Sequence, residues 1–133
     1  MTALVAIATV LVLLFYFWTC FVVGRGRQKY EIAAPAMTGH PEFERAVRVQ
    51  ANTLEWLVIF LPGMWLFAAY VNPTVAALLG LVWIAGRYIY MRAYLKDPKT
   101  RSTGFMIQAL ATAAALFGGL IGAVISLFTG GGS

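Results

Sequence analysis

Every formal side-chain charge in this chain of 133 residues falls in one of two windows, and no other feature restricts its fold as much. Arg25, Arg27, Lys29, Arg45 and Arg48 form the first basic set, and Arg87, Arg92, Lys96, Lys99 and Arg101 the second. The acids Glu31, Glu42, Glu44, Glu55 and Asp97 lie in the same windows, leaving 1–24, 56–86 and 102–133 without charge. Soluble domains are roughly 25% charged, whereas this chain is 11% charged and 61% hydrophobic. Its apolar stretches are Leu4–Gly24, Trp56–Tyr70, Thr74–Gly86 and Gly104–Phe128. A membrane span needs about 20 predominantly apolar residues. The first and last stretches reach that length alone. The middle two reach it only if Glu42–Glu55 and Arg87–Leu95 continue the helices, which carries polar side chains into the membrane edge. The expectation is an all-α integral membrane protein. It is read as a single domain, 1–133, with helices at about 3–24, 42–71, 74–95 and 104–128.

With four spans, the two charged windows become the connections between helices 1 and 2 and between helices 3 and 4, on one side. The positive-inside rule assigns that side to the cytoplasm and the termini to the opposite face. Topology therefore accounts for the net charge of +5 without a nucleic-acid partner. The first apolar stretch lacks a basic residue before Arg25 and is longer than a signal-peptide core, so it reads as a retained helix. The closing TGGGS reads as a flexible tail. Lone Cys20 admits no internal disulfide and reads as a small apolar side chain in helix 1. Lone His40 lacks ligand-spaced partners and reads as a loop residue, so no metal is expected. GRGR at 24–27 lacks phosphate-loop spacing. No Ser-His-acid set is available.

Helix punctuation is clear. Pro41 and the acids after it mark one start, Asn72-Pro73 breaks helix 2 from helix 3, and KDPKTRSTG at 96–104 breaks helix 3 from helix 4. Pro62 predicts a bend within helix 2. Ala111, Ala115, Gly118 and Gly122 give helix 4 a face that a neighbouring helix can approach closely.

Arg48, Asn52 and Glu55 follow i, i+4, i+7 and fall within a ~60° arc of helix 2. Arg87, Tyr90 and Tyr94 make a second stripe on helix 3, while Gln50 points nearly opposite to the first. An antiparallel hairpin about Asn72-Pro73 brings these stripes to matching depth, with Glu55 level with Tyr90. Ionisable groups at that depth face a bundle interior or a wet cavity. One reading is structural, with Glu55 paired to Arg87 to pin the hairpin. The other is a site for a polar, partly anionic ligand. In it a carboxylate holds an ammonium and arginines hold carboxylates in forked pairs.

FERAVRVQANTLEW (43–56) and GRYIYMRAYLKDPKTRSTGF (86–105) resemble the helix 2 and helix 3 signatures of the MAPEG family, membrane-associated proteins in eicosanoid and glutathione metabolism. The similarity runs from about Arg25 to Phe105 and is nearest to the branch of type-2 microsomal glutathione transferases and leukotriene C synthases. It implies a homotrimer of four-helix subunits with glutathione, as co-substrate, bound between neighbours near the cytoplasmic face. The partners it implies are membrane lipids and a lipophilic electrophile or lipid hydroperoxide. By position, Arg48, Asn52, Glu55, Tyr90 and Tyr94 would bind glutathione, Gln50 would reach a neighbour's site, and Arg27 would meet a glutathione carboxylate. Trp56 takes the place of a contacting tyrosine in that set, without its hydroxyl. Arg101 would stand beside the sulfur as the catalytic residue, and Trp65 or other apolar side chains would receive the electrophile. Gln28 replaces a second loop arginine of the leukotriene-forming enzymes, with Lys29 beside it, so no eicosanoid substrate is assigned.

Three functions compete on these residues. The first is a glutathione transferase with accompanying peroxidase activity. The second is a non-catalytic lipid-binding scaffold of the same family, which lacks the full arginine and glutamate set retained here. The third is a small multidrug exporter, which would need an acid in helix 1, where residues 1–24 have none.

Overall fold

The computed structural model describes residues 2–130, so the end of the TGGGS tail lies outside the described residues. The chain folds into α1 (Thr2–Tyr30), α2 (Pro41–Tyr70), α3 (Pro73–Lys96) and α4 (Ser102–Thr129), with one 3-10 turn at Pro98–Thr100 before α4. Each of the four is long and apolar enough to cross a membrane. At 1.5 Å per residue they measure roughly 36–45 Å, more than a hydrocarbon core of about 30 Å, so their polar ends extend beyond it.

Local chemistry sets the limits. Pro41 and Pro73 each open a helix, where a missing N–H costs nothing. The residue before each proline is extended and caps the helix. Asn72 Oδ1 accepts from the Val75 N–H at 3.0 Å, and His40 Nδ1 accepts from the Glu42 N–H at 3.2 Å. His40 is a loop residue, as the sequence predicts, that also caps α2 and stacks on Tyr30, with ring centroids 3.7 Å apart. α1 continues past Gly24 to Tyr30. An isolated helical glycine costs only about 1 kcal/mol, and the helix stops where Glu31 turns left-handed at φ 54. α2 passes unbroken through Pro62.

The helices run antiparallel, and both charged connections lie at one end. The Tyr30 hydroxyl donates to Glu42 across the first connection. Arg45 Nη1 donates to the carbonyls of Leu95 and Lys96, at 3.3 and 3.4 Å, joining the start of α2 to the end of α3. The core is narrow and made from one face of each helix. Val5 and Val12 of α1, Phe60 and Met64 of α2, Trp83 of α3 and Ala111 and Ala115 of α4 meet there. Phe60 and Trp83 stack with centroids 5.1 Å apart. Ile7, Phe17, Val58, Leu110, Phe117 and Phe128 point outward. Such an apolar exterior belongs against lipid or another subunit, not water. This is an integral, multi-pass membrane architecture.

The small residues of α4 receive α2, as their spacing predicts: Gly118 faces the Phe67 ring and Gly122 the Tyr70 carbonyl. The tighter approach is between α3 and α4 and rests on two other glycines. A Cβ on Gly86 would lie 2.7 Å from the Gln108 nitrogen, and one on Gly104 would overlap the backbone of Tyr90. This crossing holds the start of α4 against the tyrosines of α3. Overpacking a close contact typically costs about 1–3 kcal/mol. Gly104→Ala is therefore expected to lower the unfolding midpoint in detergent clearly, whereas Gly24→Ala, with nothing within 4 Å, leaves it equal or higher. Equal midpoints for the two variants would contradict the crossing.

Candidate functional site

A cleft of about 850 Å³ opens at the charged end of the bundle, between α2, α3 and the start of α4. Arg48, Asn52 and Glu55 line it from α2, Tyr90 and Tyr94 from α3, and Arg101 from the connection to α4. The two polar stripes read from the sequence meet at this one place, except that Arg87 of the second stripe lies outside the lining. Lys99, Ser102 and Phe105 join them.

Each side chain is held by identifiable contacts. Tyr90 and Tyr94 stack with centroids 5.5 Å apart, and Tyr90 also packs against Phe105 at 6.0 Å. Arg101 is placed by the 3-10 turn. Asp97 Oδ1 accepts from the Lys99 N–H at 3.1 Å, and the Thr100 hydroxyl donates to the Asp97 carbonyl at 2.8 Å. Arg101 Nη1 donates to the Pro98 carbonyl at 2.9 Å, so its guanidinium is tethered at the rim. α4 begins here without a side-chain cap. The first N–H groups of a helix have no intrahelical acceptor and carry the positive end of its dipole.

Behind the cleft lies a fully buried cation, Arg87. Its Nη1 donates to Asn52 Oδ1 at 2.8 Å and its Nη2 to Thr53 Oγ1 at 2.6 Å. The Thr53 proton goes to the Val49 carbonyl at 2.7 Å, which leaves that hydroxyl oxygen free to accept. The guanidinium lies 4.4 Å from the centroid of the Tyr90 ring. The structural ion pair between Glu55 and Arg87 is not formed, and the single ion pair among the described residues joins Lys29 and Glu42. Register explains the difference. The contacts of Phe60 with Trp83 and of Gly80 with Met64 set the Arg87 backbone level with about Leu57. The arginine then extends towards the charged end by more than one turn, roughly 6–7 Å. It arrives at Asn52 and Thr53, leaving Glu55 exposed in the cleft.

Asn52 consequently has a fixed orientation. Its oxygen is committed to Arg87, so its amide N–H groups are the ones available to the cleft. The cleft lining holds three cations, Arg48, Lys99 and Arg101, against one carboxylate, Glu55.

Three of the expected ligand residues stand outside that lining. Arg27 donates to the Ala36 carbonyl at 2.7 Å and lies over the Phe43 ring. Gln50 faces α1, its Nε2 donating to Cys20 Sγ at 3.2 Å. Trp56 packs edge-on against Phe105, with centroids 5.3 Å apart, and so backs the wall of the cleft. Trp65 is far from it, with its indole N–H donating to the Thr9 hydroxyl at 2.9 Å. Thr53, Ser102, Phe105 and the exposed start of α4 are site features that sequence reasoning passed over. The one available signal was phase, since Thr53 lies on the buried side of α2 next to Asn52.

The MAPEG family model matches residues 5–121. The chain belongs to the MAPEG family. This MAPEG chain is 45% identical over 116 residues to an uncharacterized protein of Synechocystis sp., covering 87% of the chain and 85% of that relative. It is 44% identical over 86 residues to microsomal glutathione S-transferase 2 of Homo sapiens, covering 65% of the chain and 58% of the relative. It is 35% identical over 99 residues to leukotriene C4 synthase of Cavia porcellus, covering 74% and 66%. The match thus spans little more than half the length of the human relative.

Hydrogen bonds to charged groups contribute about 1.5–3 kcal/mol each, and a buried partner left unpaired adds to the loss. Arg87→Ala, which also opens a cavity beside Tyr90, is expected to destabilise the MAPEG fold by several kcal/mol in detergent unfolding. Arg92→Ala, on the exposed face of the same helix, leaves the midpoint unchanged. A neutral Arg87→Ala would refute the role given to this buried contact.

Proposed function

We propose that this protein is a membrane-bound glutathione S-transferase that binds glutathione in the cleft, holds it as the thiolate and joins it to a lipophilic electrophile. The observation that carries the reading is the donor set of the cleft: three cations, one carboxylate, an oriented amide and two phenols. Glutathione has two carboxylates and one ammonium, and its thiolate adds a third negative charge. The lining's charge surplus of two positives matches the net charge of that thiolate form. Glu55 holds the ammonium, Arg48 a carboxylate, and Asn52 donates from its free N–H groups. Tyr90 and Tyr94 supply phenol donors. The relatives, a glutathione transferase and a leukotriene C4 synthase, support the same class.

A free thiol with a pKa near 8.5 is only a few per cent ionised at neutral pH, and the thiolate is the nucleophile. Arg101 and the uncapped start of α4 favour the anion at the cleft rim. Each tenfold gain in ionisation corresponds to about 1.4 kcal/mol. The thiol proton leaves to water. The thiolate then forms a carbon–sulfur bond while the electrophile expels its leaving group or opens its strained ring. A hydroperoxide in place of the electrophile gives glutathione-dependent peroxidase chemistry. Binding both partners at the membrane edge joins a water-soluble thiol to a lipid-dissolved reactant.

The assembly proposed is a homotrimer with the charged connections in the cytoplasm. Arg27 and Gln50, which stand outside their own subunit's cleft, complete the site of a neighbour. Trp56 supports Phe105 in its wall.

Adding glutathione to the purified protein is expected to produce thiolate ultraviolet absorbance at a pH well below 8.5. Because the thiolate is the stabilised form, the signal falls only as pH drops through the lowered pKa. Arg101→Ala is expected to abolish that absorbance at neutral pH while changing glutathione affinity only a few fold. Wild-type turnover in this variant would exclude Arg101 as the catalytic residue. Glu55→Gln is expected to weaken glutathione binding by about tenfold or more, the equivalent of one charged hydrogen bond. An unchanged dissociation constant would remove Glu55 from the ammonium site.

A further inference from the structure

A second groove, of about 1050 Å³, lies at the same end of the bundle between α1, the start of α2 and the outer face of α3. Four cations, Arg25, Lys29, Arg92 and Lys96, line it, and all four are exposed. The one acid in its lining, Glu42, is already engaged by the Tyr30 hydroxyl and by Lys29 Nζ at 3.9 Å. Among the described residues no carboxylate pairs with the other three cations, Arg25, Arg92 and Lys96. Beneath them the walls become apolar, with Val22, Phe43, Ala46 and Ile89. About one turn deeper, Trp18 of α1 stacks on Tyr88 of α3, with centroids 6.0 Å apart. The groove faces sideways as well as towards water, since Phe21, Tyr88 and Ile89 are among the outward-pointing side chains.

We propose that this groove is a binding site for an anionic phospholipid. Its phosphate sits among Arg25, Arg92 and Lys96, and its acyl chains descend along Val22 and Ile89. The profile of the groove reproduces that of the ligand, with charge at the membrane surface and an apolar floor directly below it. A basic cluster at a membrane surface attracts anionic lipid by about 1 kcal/mol per Lys or Arg. A soluble phosphate would gain nothing from the apolar floor. A second copy of this chain is a poor occupant on charge grounds, because it carries a net charge of +5. The site lies apart from the glutathione cleft, so it stands or falls independently of the proposed transferase activity.

The test is native mass spectrometry of delipidated protein in detergent, without glutathione, given phosphatidylglycerol or phosphatidylcholine of identical acyl chains. Phosphatidylglycerol is expected to be retained about tenfold better. The double variant Arg92→Gln/Lys96→Gln is expected to lose that preference while keeping its unfolding midpoint and its oligomeric state. Arg25→Gln, on a different helix, is expected to reduce the preference severalfold. Millimolar glycerol phosphate is expected not to displace the bound lipid. Equal retention of the two lipids, an undiminished preference in both variants, or displacement by glycerol phosphate would each overturn the proposal.

Discussion

A cation enclosed within a membrane bundle has to find all its partners inside the protein, and Arg87 is that cation here. Its contacts with Asn52 and Thr53 tie α3 to α2 below the charged end. Taking such an ion out of water costs several kcal/mol unless its hydrogen bonds are satisfied. Two of the three guanidinium nitrogens have side-chain acceptors, and Tyr90 covers its face. The third, Nε, has no partner among the described residues. A residue this costly is a poor device for stability alone, because an apolar side chain of the same shape would serve the hairpin as well. What the arginine adds is direction. It takes the acceptor end of Asn52, which turns the donor end outwards, and it fixes the ring of Tyr90 at the cleft wall.

The glycine crossing has the same logic at the backbone level. Tyr90 and Arg101 come from different elements and meet only because Gly104 lets α4 start almost on top of α3. The 3-10 turn then sets where Arg101 begins. Three short-range devices, a buried arginine, a glycine contact and a capped turn, place groups from three elements around one volume. None of them depends on the long apolar faces that make up most of the chain.

The fold was legible because its signals are coarse. Charge-free segments, two Pro-opened helix starts and a hydropathy far above that of a soluble domain leave few alternatives to four antiparallel spans. The convergence of Arg48, Asn52, Glu55, Tyr90 and Tyr94 was legible too, since helical phase fixes the stripe and the hairpin fixes depth. The partner of Arg87 was not. Equal counting from the Asn72-Pro73 turn compares backbone levels, and an arginine reaches more than a helical turn beyond its own. Hydropathy likewise gave no warning that Gly86 and Gly104 would matter more to the site than the regular small residues of α4. Two glycines on different helices have no spacing relationship that a single sequence displays. Arg27, Gln50 and Trp56 lie outside the cleft lining for a third reason, because local contacts hold them elsewhere: Arg27 on the Ala36 carbonyl, Gln50 at Cys20 of α1 and Trp56 behind Phe105.

α3 separates two polar regions with different demands. Tyr90 and Tyr94 turn to the cleft, while Tyr88, Arg92 and Lys96 turn to the outer groove, about 200° round the helix from their neighbours two positions away. A helix with its side chains is about 10 Å thick, and the Debye length in physiological salt is about 8 Å. Exposed charges on the outer face are therefore largely screened from the cleft. The chain can carry a surplus of cations at both places without the outer set determining the electrostatics of the inner one. Each face can change its composition while the other keeps its chemistry. Any coupling between them has to run through movement of α3 itself, and that movement is opposed by the Arg87 contacts on one side and the glycine crossing on the other.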